Sequence, residues 1–215
     1  MSKLNDEIFE MQLRDIWKNV FGDEDEYLDV FFDKIYQKDY VLSIEQDGKV
    51  AAMLFMVPYD VIIGKNKYKS IYLYALATVE KYRNKGFMSK LINMANEYVD
   101  KNNYLFSFLI PAEEELYGFY KKFGFDIKFE MNNILIKKEI KDYEEYKNVV
   151  AEFDKAVVLS KSQFEVWNWT YDMCMKAGDE DEYISDLTVG LIRKGRKAEV
   201  EGVGLEDILI GQVLC

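Results

Sequence analysis

Residues 76–91 read Leu76-Ala77-Thr78-Val79-Glu80-Lys81-Tyr82-Arg83-Asn84-Lys85-Gly86-Phe87-Met88-Ser89-Lys90-Leu91. An apolar, strand-type run enters a short basic loop with one glycine, and helical spacing starts at once. The first N–H groups of a helix have no internal partner, and the helix dipole makes that end attractive to anions. Gly86 carries no Cβ to hinder close approach of a phosphate. Arg83 and Lys85 add positive charge, and Ser89 offers a hydroxyl. On these residues alone the segment reads equally well as a diphosphate site or as an ordinary strand-to-helix turn with solvated basic side chains.

Working outward, Phe87 to Lys101 reads as a helix, with Phe87, Leu91, Met94, Ala95 and Tyr98 on one face. Tyr104 to Ile110 is a continuous apolar run ended by Pro111, as in a buried central strand. Glu113 to Phe123 follows as a short helix closed by Gly124, and Phe125 to Lys137 is strand-like. Upstream, helices are expected over Asp6–Val20, stopped by Gly22, and from Asp23 to about Tyr36, whose acidic start suits a helix N-terminus. Strands are expected over Tyr40–Glu45 and Val50–Pro58, joined by a turn at Gln46-Asp47-Gly48-Lys49. A second pair is expected over Asp60–Ile63 and Tyr68–Val79, about four strands in all before the loop. Antiparallel strands followed by a strand-helix-strand unit imply an α+β fold with a mixed sheet.

The chain has 215 residues, about half of them apolar, with 16 Tyr and 14 Phe. That is enough to bury a large core without a metal or disulfide. A net charge of -11 argues against nucleic acid and anionic lipid as partners and is compatible with an amine substrate. Cys174 and Cys215 have neither metal-site spacing nor a disulfide framework, so a reducing, cytoplasmic setting and no metal are expected. Met1-Ser2-Lys3-Leu4-Asn5-Asp6-Glu7 has no long apolar core, so no leader is expected. The complete lack of histidine removes histidine triads and the usual general base at neutral pH.

The loop resembles the Arg/Gln-x-x-Gly-x-Gly/Ala segment of the GNAT acetyltransferases, which lies between their fourth strand and third helix. Arg83 and Gly86 match, whereas Met88 stands where a small residue is usual. Leu116-Tyr117-Gly118-Phe119-Tyr120-Lys121-Lys122-Phe123-Gly124-Phe125 is similar to the family's Leu-Tyr-x-x-x-Gly-Phe ending, with Tyr120 at the tyrosine position. The resemblance covers about residues 4–138. It implies a mainly antiparallel mixed sheet flanked by helices and splayed between the fourth and fifth strands, here about 71–79 and 104–110.

That resemblance implies N-acetyl transfer from acetyl-CoA to a primary amine, on a small molecule or a protein, by direct attack in a ternary complex. Backbone groups near Thr78 and Val79 are expected to hold the pantetheine arm and thioester. The amides of Arg83, Asn84, Lys85, Gly86, Phe87 and Met88, with Ser89, are expected to cradle the pyrophosphate. An N–H near Val79 is the expected oxyanion donor, a contribution of about 3 kcal/mol in comparable sites. Tyr120 is the expected proton donor to the leaving thiolate, since an ordinary phenol titrates near a pKa of about 10. No general base is identified: Glu113, Glu114 and Glu115 read as a solvated helix start, and Glu80 as an exposed strand-edge residue. The alternative is a catalytically silent acyl-CoA-binding or partner-binding module of the same fold.

Residues 139–215 are expected to form a partial GNAT-like lobe beside the 1–138 domain, as in tandem-lobed relatives of the enhanced-intracellular-survival type. Helices are expected over Tyr143–Phe153 and Ser160–Ala177, and strands over Ile184–Ile192 and Lys197–Val203. The two strands would be joined by the turn Arg193-Lys194-Gly195-Arg196, with a helical stretch from Leu205. No second cofactor site is expected. Trp167, Trp169, Tyr171 and Met173 read as core rather than as a pocket lining. A terminal carboxylate enters the active site in some two-lobed relatives, which gives Cys215 a remote candidate role. An incomplete lobe exposes a sheet edge or an apolar face, which favours a homodimer.

Overall fold

The computed structural model describes residues 5–130, 140–177, 189–195 and 209–210. Helix α1, Asp6–Phe21, starts where the Asn5 side chain accepts hydrogen bonds from the Glu7 and Ile8 N–H groups at 2.8 and 3.4 Å. It ends at Gly22, left-handed at φ 80. Helix α2, Asp25–Lys34, opens with acidic residues that complement its dipole. Strand β1, Val41–Gln46, turns through Asp47 and Gly48, both at positive φ, into β2, Lys49–Ile63. Strand β3 is Asn66–Thr78.

The expected break between Val50–Pro58 and Asp60–Ile63 does not occur: β2 runs through Pro58 as one strand. One edge of β2 lies along β3 from Ala52 to Ile63. Its other edge is shared, with β1 covering Lys49 to Phe55 and a later strand covering Asp60 to Ile63. Pro58 falls in the gap between those two neighbours, where no ladder partner needs the N–H it lacks. The amide of Gln163 fills the gap, donating to the Pro58 carbonyl at 3.0 Å.

Beyond β3 come α3 (Phe87–Lys101), β4 (Phe106–Leu109), α4 (Tyr117–Lys121) and β5 (Ile127–Glu130). The start of the expected 113–123 helix is a single 3-10 turn, Glu114–Leu116. Then follow α5 (Tyr143–Val150), β6 (Lys155–Val158), α6 (Lys161–Ala177), β7 (Val189–Lys194) and β8 (Leu209–Ile210). Ser160 and Gln163 cap α6 reciprocally: the Gln163 N–H donates to Ser160 Oγ at 3.3 Å and the Ser160 N–H to Gln163 Oε1 at 2.7 Å.

Among the described residues the strands form one sheet in the order β5-β7-β4-β3-β2-β6-β8, with β1 also on β2. Pairing is antiparallel except between β3 and β4 and between β6 and β8. Strand 155–158 had no counterpart in the sequence reading. Arg193 and Lys194 belong to β7 and not to a turn. Leu209 and Ile210 pair with β6 instead of continuing a helix from Leu205. The boundary expected at 138/139, the strand expected over 197–203 and Cys215 lie outside the described residues.

Two cores cover the two faces of the sheet. On one, α1, α2, α5 and α6 bury Phe9, Trp17, Phe31, Tyr146, Phe164 and Trp167. On the other, α3 and α4 bury Leu91, Ile92, Ala95, Val99 and Tyr120. Trp169 and Tyr171 lie partly buried against the first core, whereas Met173 is exposed.

Strand β7 reaches its place between β4 and β5 only because residue 190 is glycine. A Cβ there would stand 2.0 Å from the Phe129 ring and 2.9 Å from the Leu109 carbonyl oxygen. Gly190→Ala is therefore expected to destabilise the fold by about 1–3 kcal/mol through overpacking, read as a lower midpoint in chemical denaturation.

Candidate active site

Strand β3 meets β4 at three ladder positions only: Ser70 with Phe106, Ile71 with Ser107 and Tyr72 with Phe108. Past Tyr72 it runs on to Thr78 without β4, and among the described residues no other strand pairs with that edge. On its other edge the register with β2 slips between Met53 and Phe55, so that Ala75 and Leu76 together oppose Leu54. Ala75 has φ 47, a left-handed conformation costly for a residue with a Cβ. The bulge also resets the face alternation: Tyr72 and Tyr74 face the α1–α2 core, and Ala75 and Ala77 then do the same.

The Val79 N–H donates to the Ala51 carbonyl at 3.0 Å. That group is thereby committed to β2 and is not available as the expected oxyanion donor. Ladder alternation turns the N–H and C=O of Thr78 the other way, to the open edge. Arg83 Nε donates to that Thr78 carbonyl at 3.3 Å, tying the start of the loop to the end of the strand.

The loop itself is shaped by two left-handed residues, Asn84 at φ 60 and Gly86 at φ 75. Gly86 is the N-cap of α3, which has neither a side-chain cap nor an acidic residue in its first turn. A Cβ built on Gly86 meets no atom within 4 Å, so the space above the helix start is open. Arg83, Asn84, Lys85 and Gly86 are exposed, and Phe87, Met88 and Ser89 are half-buried. The ammonium groups of Lys81 and Lys85 sit 4.7 and 5.1 Å from the centroid of the buried Tyr82 ring. The arrangement suits an anion: a helix start without a side-chain cap, basic side chains and no acidic residue in the first turn of α3.

Tyr120 lies under α3 on the same face of the sheet, edge-on to Phe119 and Phe125 at 5.3 and 6.4 Å. Burial alone pushes its phenol up to about 12, so it stays protonated at any physiological pH. Tyr120 is buried in the core that α3 and α4 build on that face, while Thr78 and the loop lie at the end of β3 and the start of α3. Glu80, Glu113, Glu114 and Glu115 are all exposed. The sequence reading missed the bulge at Ala75 and the tyrosines around it. A non-glycine residue at positive φ leaves no local mark, and tyrosine is common throughout the chain.

A family model described as an acetyltransferase (GNAT) domain matches residues 3–128. Among solved structures, the chain is similar to a GCN5-related N-acetyltransferase from Kribbella flavida. That similarity has 16% identity and a TM-score of 0.55, over 74% of this chain and 48% of that one. It is also similar to a protein of Enterococcus faecalis V583 described as a probable N-acyltransferase, with 18% identity and a TM-score of 0.50, over 59% of this chain and 32% of that one. At such identities the likeness is one of fold. The chain accounts for 32% of the length of the Enterococcus protein and 48% of that of the Kribbella protein. No curated protein matches it. No helix among the described residues is long and apolar enough to cross a membrane.

The raised pKa of Tyr120 ties stability to pH. The unfolded phenol ionises from about pH 10, while the folded one resists until about 12. The stabilisation is complete below pH 10 and is lost as pH rises through that window, at most about 2–3 kcal/mol. Denaturation midpoints measured from pH 9 to 12 are expected to fall, and to fall less steeply in Tyr120→Phe.

Proposed function

The chain belongs to the GNAT acetyltransferase family, and from that membership we propose that it transfers an acetyl group from acetyl-CoA to a primary amine by direct attack in a ternary complex. One observation carries the reading. An uncapped helix start, with Gly86 in a left-handed conformation, opens beside the edge of β3 that β4 has left. An anionic head and an extended arm running from it are what such a pair of features fits.

In this reading the N–H groups from Asn84 to Ser89 receive the pyrophosphate, with Arg83 and Lys85 supplying positive charge. The outward N–H and C=O of Thr78 bind the arm as an added strand would. The Thr78 N–H replaces that of Val79 as the donor nearest the developing oxyanion. Acetyl-CoA supplies the activated acyl group, and the chain orients it and excludes water.

Tyr120 acts by hydrogen bonding more than by giving up its proton. An ordinary thiol has a pKa of about 8.5, so a phenol near 12 would transfer its proton uphill by roughly 5 kcal/mol. It retains the proton and stabilises the departing sulfur while solvent completes the transfer.

Calorimetric titration with acetyl-CoA is expected to show saturable binding that Gly86→Glu abolishes, since the new carboxylate occupies the phosphate position. No binding to the unmodified chain would remove the reading. Tyr120→Phe is expected to keep acetyl-CoA binding and to lower kcat by about 10–100-fold. Unchanged turnover would take Tyr120 out of the mechanism.

A further inference from the structure

An amine attacking a thioester must lose a proton, and the chain has no histidine to accept it. The inference drawn here rests on the acyl-transfer reading above and concerns where that proton goes. Loop and Tyr120 occupy the α3–α4 face of the sheet. The acceptor is therefore left an approach from the other face of β3, where Tyr72, Ala75 and Ala77 are buried under α1 and α2 and Tyr74 is only partly buried. The polar side chains that β3 turns to that face there are the phenols of Tyr72 and Tyr74.

Tyr74 is held unusually well for a half-buried residue. Its ring stacks on Tyr72 at 5.2 Å and 24°, and Tyr72 stacks on Phe108 at 4.9 Å and 15°, so the stack spans both strands of the crotch. Trp17 closes its other side at 5.2 Å. The Tyr74 hydroxyl lies 2.8 Å from that of Tyr27, in the first turns of α2, and either oxygen can be the donor. Tyr74 also directly precedes the bulged Ala75, so the backbone bend and the hydroxyl pair share one anchor.

We propose that Tyr74, hydrogen-bonded to Tyr27, takes up the proton released by the acceptor amine and passes it through Tyr27 to solvent water. The nitrogen forms its bond to the thioester carbon, and the carbonyl π electrons move to the oxygen, which the Thr78 N–H meets. The new ammonium gives its proton to Tyr74 Oη as the Tyr74 hydroxyl proton moves to Tyr27 Oη and the Tyr27 proton moves to water. Both phenols end neutral, and no phenolate accumulates. Collapse of the oxyanion then breaks the carbon–sulfur bond on the Tyr120 side. Nucleophile and leaving group are served by tyrosines on opposite faces of the sheet.

The test is thiol release from acetyl-CoA in the presence of spermidine, 2-phenylethylamine or lysine, for the unmodified chain, Tyr74→Phe and Tyr27→Phe. Phenylalanine preserves ring packing, and calorimetric binding of CoA reports whether the cleft is intact. Tyr74→Phe is expected to lose about 100-fold in kcat, the lower end for a proton-transfer group. Tyr27→Phe is expected to lose about 10-fold, because Tyr74 then passes its proton directly to water. KM for acetyl-CoA stays within roughly twofold in both, separating proton transfer from binding. If kcat is unchanged in Tyr74→Phe while the unmodified chain turns over, the relay is wrong and acyl transfer stands. A rise in KM with kcat intact assigns Tyr74 to packing alone and also overturns the relay. Should Tyr74→Phe lose CoA binding, unchanged kcat in Tyr27→Phe overturns it. An unmodified chain that binds CoA but releases no thiol with any of these amines removes both readings.

Discussion

Strand β3 can pair with β4 over three positions and no further, because β4 ends at Leu109 while β3 is bent by the bulge at Ala75. The candidate site depends on that limit. A sheet that stayed closed would spend the outward N–H and C=O of Thr78 on a neighbouring strand. The loop after Val79 would then start a helix beside a sealed edge. Opening the sheet leaves the backbone groups of β3 past Tyr72 without a ladder partner among the described strands, and a ligand with amide groups of its own can meet them. The bulge places a non-glycine residue at φ 47, a strained conformation of the kind that collects at functional sites.

The far side of β4 holds the opened sheet together. Strand β7 pairs with Phe106 to Leu109 and with the whole of β5, so β4 keeps one full neighbour where it loses the other. Arg193 on β7 makes a two-pronged ion pair with Asp100 near the end of α3, at 2.8 and 3.2 Å, with both side chains largely buried. The strand that braces β4 is thus clamped to the helix that starts at the Gly86 loop. Gly190 and Gly195 allow the close approach: a Cβ at 195 would stand 2.2 Å from the Tyr104 carbonyl oxygen. On the opposite core, the stack of Phe108, Tyr72 and Tyr74 spans the crotch and holds its side chains in place while its backbones diverge.

Charge is distributed with the same economy. In a chain of net charge -11, the loop gathers Lys81, Arg83, Lys85 and Lys90 around a helix start free of acidic residues. Helices α1, α2 and α5 each carry acids in their first turn. An anion is therefore favoured at α3 and disfavoured at those three. Without histidine, the chain lacks the side chain that most often changes charge in the neutral range.

How much of this was legible in the residues depends on the range of the interaction. Helix α3 was expected over 87–101 and is found there, because its spacing, its preceding glycine and its amphipathic face are all local. The hairpin at Asp47-Gly48 and the helix expected from Ser160 were legible for the same reason, and two short motifs pointed to the loop and to Tyr120 as candidates. The continuity of β2 through Pro58, strand β6, the place of β7 inside the sheet and the strand character of Leu209 were not legible. Each depends on a neighbour distant in the chain: Pro58 on Gln163, Arg193 on Asp100, Leu209 on Ala156. The sequence by itself determined which segments bury a face and where the acid-free, glycine-led helix start of α3 falls, since burial pattern, turn chemistry and helix polarity are written within a few residues. Only the tertiary structure decided that Val79 is committed to Ala51, that Thr78 faces the opening and that Tyr74 meets Tyr27. Strand pairing and the bulge set which way each backbone group and ring points, and a shift of one residue along a strand reverses that direction.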